Sequence, residues 1–230
     1  MKRMHLVRLV LAVVIPLIAV RATAQLEAGA AKSLDQLSGR EILRCAVSPD
    51  CKYDIFDLAN ALQKRFTVKQ LIAMYPHEED QAQEIIVISL RNDKSAAVVA
   101  LMREAAFMRL KSGMTSEGNH YFALQYLADR CDPNALRELN RPANFKDSYP
   151  VGCMFWQDTL RDFGKCGYRS SIPHLAVSLD SACVNNIQAA ETSLRHLLPK
   201  SPCWTKAGSG GDFQAESDCY LHEGKSSVSH

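Results

Sequence analysis

The chain has 230 residues, 47% of them hydrophobic and 23% charged, with 27 basic residues against 25 acidic ones and eight cysteines. At that length the chain can build a sizeable core of its own. Removing residues 1–24 takes away Lys2, Arg3, Arg8 and Arg21 and no acid, leaving 23 basic residues against 25 acidic ones, so a basic surface for nucleic acid is not expected.

Those first residues read as a secretory signal. Lys2 and Arg3 form the basic start, Leu9 to Val20 the apolar run, and Ala22-Thr23-Ala24 a small-residue cleavage site before Gln25. The run is shorter than the ~20 residues a bilayer span needs, and no second run approaches it. The expectation is a product without a membrane span, periplasmic or extracellular after cleavage near Ala24. The absence of an Asn-x-Ser/Thr sequon favours a bacterial envelope. All eight cysteines, Cys45, Cys51, Cys131, Cys153, Cys166, Cys183, Cys203 and Cys219, follow the cleavage site. An even number in an oxidising compartment points to disulfides, with many pairings open. Zinc is the weaker reading, because no C-x-x-C and no H-x-x-x-H occurs.

In chain order, Ser33 with Gln36 or Ser38 with Glu41 can form a capping box, and the first helix should run to about Ala46. Ser48-Pro49-Asp50 is turn chemistry between Cys45 and Cys51, close enough for the two to be clipped together. Ile55, Leu58, Ala59, Leu62 and Phe66 mark one apolar face. Thr67 with Gln70 opens a short helix that Pro76 closes. Further helices are predicted over 81–90, 95–111, 119–130, 134–140, 151–163, 170–179 and 185–198, and strand signals are almost absent. The helix around Val98, Leu101, Met102, Ala105, Phe107, Met108 and Leu110 is apolar nearly all round, so it should form the centre of the core. Asp132 is suited to cap the next helix, with Pro133 in its first position. Ile187, Ala190, Leu194 and Leu197 form an inward stripe, with Glu191 and Arg195 paired outward.

The segment from Leu127 to Leu139 can be laid on that from Phe163 to Leu175 with an offset of 36 residues, and Asn92 to Ser95 begins a degenerate third copy. The Gly-containing turn after Phe163, Ile172-Pro173 with Leu175 and Leu179, Asp180, and Ala189-Ala190 with Leu194 together resemble HEAT-like repeats. The resemblance covers roughly residues 80–199 and is best at the last unit, 127–199. It implies an all-α, disulfide-stapled solenoid whose stacked helix pairs present an extended face to another protein. Residues 25–199 would form this repeat domain. Residues 200–230 would be a polar C-terminal tail held by Cys203 to Cys219. In such a stack Cys131 and Cys166 occupy equivalent turns, and Cys153 and Cys183 lie at the opposite edge, so each pair would join adjacent layers.

No catalytic signature accompanies this pattern. His77-Glu78-Glu79-Asp80 concentrates metal-capable groups, but consecutive residues of a turn rarely converge on one ion, and a solvated loop is expected. His120, His174 and His196 have no neighbouring nucleophile motif. Gly208 to Gly211 lacks the Lys-Ser/Thr of a phosphate loop. Trp156 is expected in the core, and Trp204, in a polar stretch, is the candidate partner-binding residue. The expected function is a non-catalytic protein-binding module without a cofactor. A periplasmic immunity-type inhibitor of a toxic enzyme is a special case, and an envelope metal-dependent hydrolase with ligands from separate helices is the rival.

Overall fold

The computed structural model describes residues 33–107, 117–141, 152–203 and 213–227. The signal-like leader, Trp204 and Gly208 to Gly211 lie outside the described residues. Eleven α-helices and no strand occur among the described residues: α1 (Gly39–Ala46), α2 (Ile55–Gln63), α3 (Val68–Met74), α4 (Asp80–Leu90), α5 (Ala96–Phe107), α6 (Glu117–Ala128), α7 (Pro133–Leu139), α8 (Gly152–Lys165), α9 (Ile172–Ser178), α10 (Val184–Leu197) and α11 (Phe213–Ser227). None of them is long and apolar enough to cross a membrane.

Local chemistry sets most helix starts. Two boxes precede α1: Ser33 with Gln36 opens a short 3-10 turn over Leu34–Gln36, and Ser38 with Glu41 opens the helix itself. Ser38 N–H donates to the Glu41 carboxylate at 2.7 Å, so a backbone donor left over at the helix start is satisfied by a charge. Thr67 and Gln70 repeat the device at α3. Asp54 caps α2 by accepting from Phe56 N–H at 2.8 Å. Asp132 caps α7, accepting from Asn134 and Ala135 N–H, and Pro133 follows where a missing N–H costs nothing.

The even-numbered helices stack in one row, α2 on α4, α4 on α6, α6 on α8 and α8 on α10. The odd-numbered helices flank it, α5 against α6, α7 against α6, and α9 against α10. Serines let two of the row's junctions close: Ser89 Oγ donates to Ala59 O at 2.9 Å across α4 and α2, and Ser193 Oγ donates to Leu160 O at 2.7 Å across α10 and α8. At the second junction α8 also carries Gly164, where a Cβ would lie 2.6 Å from the Ser193 Cα. Only a glycine allows that approach.

The 36-residue internal offset is present in the backbone. Asp132 N–H donates to Leu127 O at 3.1 Å, and Tyr168 N–H donates to Phe163 O at 2.9 Å, the same six-to-one closure of a helix end. Leu136 and Leu139 match Ile172 and Leu175, and all four are buried. At the third, degenerate copy no left-handed residue occurs; Asp93 instead accepts from Ser95 N–H at 2.8 Å and leads into α5.

Two expectations are corrected. Among the described residues the most enclosed helix is α4, in which Ala82, Gln83 and every residue from Ile85 to Leu90 are buried, and not the apolar helix that follows it. In α5 only Val98, Leu101, Met102, Ala105 and Ala106 are buried, at helical spacing, while Arg103, Glu104 and Phe107 face outward. Position in the stack decides this: α4 lies within the row, between α2 and α6, whereas α5 flanks it and packs mainly on α6. Met108 and Leu110 lie outside the described residues. The second correction concerns the polar segment after Lys206, where residues 213–227 form α11, packed on α9. Tyr220 is fully buried, Glu216 and Ser217 are buried one turn before it, and the Cys203–Cys219 disulfide ties the helix to the preceding loop. That covalent tether, with Tyr220 buried and Cys219 and Leu221 half-buried beside it, seats a helix of otherwise polar composition.

Cys45 is bonded to Cys51 across the Ser48-Pro49-Asp50 turn, and Cys131 to Cys166 across successive layers, with Cα atoms 5.1 and 5.3 Å apart. Cys183 is also disulfide-bonded, and the side chain of Cys153 lies outside the described residues.

Candidate functional site

The row is not evenly closed. The α6–α8 junction is the slightest of its four contacts, and there a groove of about 550 Å³ opens along α2, α4, α6 and α8. Its floor includes Val87, Ile88 and Tyr121, all buried; Phe56 and Phe122, both half-buried, stand above it with their ring centroids 5.8 Å apart, edge to face. Phe56 owes its place to the Asp54 cap, which makes it the second residue of α2. Tyr126 is pinned by its hydroxyl, which donates to Asp93 O at 2.7 Å.

Large polar side chains bridge α6 and α8 where serine and glycine serve at the next junction. Thr159 Oγ1 donates to Gln125 Oε1 at 2.6 Å, and the Tyr121 hydroxyl lies 3.3 Å from that oxygen and 3.2 Å from Thr159 Oγ1. The Gln125 amide then donates through Nε2 to Asp162 Oδ2 at 2.6 Å. Trp156 is buried behind this network, edge-on to Tyr121 at 6.5 Å.

Asp162 is only 5% exposed although it lines the groove. Burial is the main reason its carboxyl titrates high, at about 7; Asp129 and Asp158 add to the rise, while Lys165 and the Gln125 hydrogen bond oppose it. Lys165 is committed elsewhere, to the Asp129 carboxylate at 2.8 Å and to the Asp129 carbonyl at 2.5 Å. At the other end two guanidinium groups lie over rings, Arg91 over Phe56 at 5.6 Å and Arg130 over Tyr126 at 3.6 Å. The groove is therefore lined by rings from α2 and α6, with guanidinium groups over two of them, and by the polar side chains Gln157, Asp158 and Asp162 on α8. Chemically it can seat an apolar or aromatic group and hold a charged one beside it.

The residues singled out from sequence lie elsewhere. His77 ends a 3-10 turn and is exposed, while Glu78 and Glu79 line a shallow hollow of about 140 Å³ opposite Arg40 and Arg44 of α1. Among the described residues no three His, Cys, Asp or Glu side chains come together as metal ligands would. His120 and His174 are half-buried, and burial lowers the pKa of each; His174 Nδ1 lies 2.5 Å from Asn140 Oδ1. His196 is exposed on α10. None of these histidines lines the groove. No motif in the sequence points to Phe56, Tyr121, Phe122, Gln125, Tyr126 or Asp162; the signal the sequence carries is Tyr121-Phe122 with Tyr126, three rings on two turns of one helix.

Comparison with known proteins gives no match, whether to family models, to curated proteins or to solved structures.

Proposed function

We propose that the protein is an exported, non-catalytic binding module, a solenoid of HEAT-like helix pairs that docks a segment of another protein in the groove along α2, α4, α6 and α8. The observation that carries this reading is the groove itself: aromatic and aliphatic groups from α2, α4 and α6 converge beside the polar side chains Gln157, Asp158 and Asp162 of α8, with Arg91 and Arg130 lying over rings. Stacked helix pairs use such a face for extended recognition. Half-buried rings that already contact one another, Phe56 and Phe122, supply area at little entropic cost. Export is supported by the leader-like first 24 residues and by disulfides at three layers of the fold, which persist in oxidising compartments.

The test is photo-crosslinking in the native compartment. A photoreactive residue at Asn92, exposed on the groove rim, should capture one dominant polypeptide, and the same residue at exposed Arg137, away from the groove, should not. Equal or no capture at the two positions, at saturating illumination, would sink the reading.

A further inference from the structure

We propose that the α6–α8 end of the groove seats a lysine or arginine side chain, carried by an extended segment of the partner protein, with the Asp162 carboxylate as its counter-ion, Tyr121 beneath it and Phe122 as its wall. The proposal rests on the groove being a protein-docking site and names what it docks.

Among the described residues Asp162 is the one carboxylate drawn into the groove floor; Asp129 and Asp158 stand exposed at its rim. A buried carboxylate is costly unless a cation meets it. Among the described residues no ion pair reaches Asp162: Lys165 and Arg130 are engaged by Asp129, and Arg161 on the same helix pairs with Asp158. Arg130 is held further by the Tyr126 carbonyl at 2.8 Å and by the Tyr126 ring, and Arg91 lies over Phe56 at the far end. The charges of α10 do not compete either, since Glu191 and Arg195 pair with each other and act on Glu216. What Asp162 has is a single amide donor, Gln125, on one oxygen.

The surroundings suit a long basic side chain better than a small cation. Its alkyl stem can lie along the Phe122 and Tyr121 rings while the head reaches the carboxylate. A volume of about 550 Å³ admits a few side chains of an extended strand, not a whole helix. Seating a cation also requires Asp162 to lose the proton that burial favours, so docking and ionisation are coupled.

The test pans a phage-displayed library of random peptides against the oxidised full-length protein and measures the enriched peptides, synthesised without histidine, on three proteins: wild type, Asp162→Asn and Asn92→Trp. Asp162→Asn keeps the shape and an acceptor for Gln125, and Asn92→Trp fills the groove from an exposed position. Enriched peptides should share a lysine or arginine flanked by apolar residues and bind wild type at least roughly tenfold more tightly than Asp162→Asn. From pH 6 to pH 8 their affinity for wild type should rise roughly tenfold as Asp162 ionises, and stay flat for Asp162→Asn. Peptides without a shared basic residue, or indifferent to Asp162→Asn, overturn the cation seat; if Asn92→Trp still abolishes their binding, the groove remains a docking site. Peptides that bind Asn92→Trp undiminished, or no enrichment at all, overturn both.

Discussion

Cys131 and Gly167 adopt the same left-handed backbone conformation, φ 58° and 66°, just beyond the ends of α6 and α8. Each closes its helix in the same way, and the disulfide from Cys131 runs to Cys166, the neighbour of Gly167 in the next layer. A glycine enters that conformation freely, whereas a cysteine does so at a cost of about 1 kcal/mol.

The bridge therefore carries a conformational penalty that substitution can separate from the crosslink. Cys131→Ser with Cys166→Ser should cost about 2–4 kcal/mol, the range expected for a crosslink of this span. Cys131→Gly with Cys166→Ser should be more stable than the serine pair by about 1 kcal/mol. Urea unfolding of both variants measures the difference, and equal midpoints would refute the role assigned to the left-handed turn.

Gly164 tests the closest helix approach. Gly164→Ala drives a methyl against the Ser193 backbone, so α8 and α10 must part, at about 1–3 kcal/mol or more. Ser193→Ala should not rescue it, because the Ser193 Cα itself stands in the way. Thermal unfolding of the double variant checks this, and recovery to the stability of Ser193→Ala alone would contradict the packing described.

Asp162 makes stability depend on pH in the direction opposite to an ion-paired carboxylate. Its folded pKa is raised from 3.8 to about 7, so the native state holds the proton more tightly than the unfolded chain does. The stability this contributes is fully present below about pH 4 and is lost as pH rises through about 7, a loss of up to about 4 kcal/mol. Asp162→Asn should flatten the decline between pH 5 and pH 8 and be the more stable protein at pH 8. Glu84 and Glu216, also raised by burial, leave a residual slope. Denaturant titrations across that range decide the matter, and parallel curves for the two proteins would reject it.

Arg65 is the clasp of the N-terminal turn. Its guanidinium donates to the carbonyls of Leu34, Asp35, Leu37 and Ala61 at 2.6 to 3.0 Å. An ammonium cannot span that fork, so Arg65→Lys should lose about 1–3 kcal/mol and leave residues 33–37 open to exchange. Hydrogen exchange of that segment should rise while α4 stays protected; unchanged protection would remove the clasp.

What could be read from sequence was what neighbouring residues decide among themselves. Ser38 with Glu41, Thr67 with Gln70, and Asp132 with Pro133 mark helix starts because each cap is complete within four residues. The 36-residue offset was readable because Leu127 and Phe163 meet the same turn chemistry. The groove was not, since Phe56, Ile88, Tyr126 and Asp162 come from four helices and only stacking brings them together. Nor could periodicity rank α4 against α5: both are apolar, and only position within or beside the row decides which is enclosed. Helix α11 escaped because Glu216, Ser217 and Tyr220 do not spell an apolar stripe, yet the Cys203–Cys219 link seats them.

Helix α11 depends for its place on a covalent bond as well as on packing. It lies on α9 with Tyr220 buried, and the Cys203–Cys219 pair holds it there. Reducing that pair should loosen α11 and bare the surface of α9 that it covers, so the redox state of the surroundings sets how much of this region meets solvent.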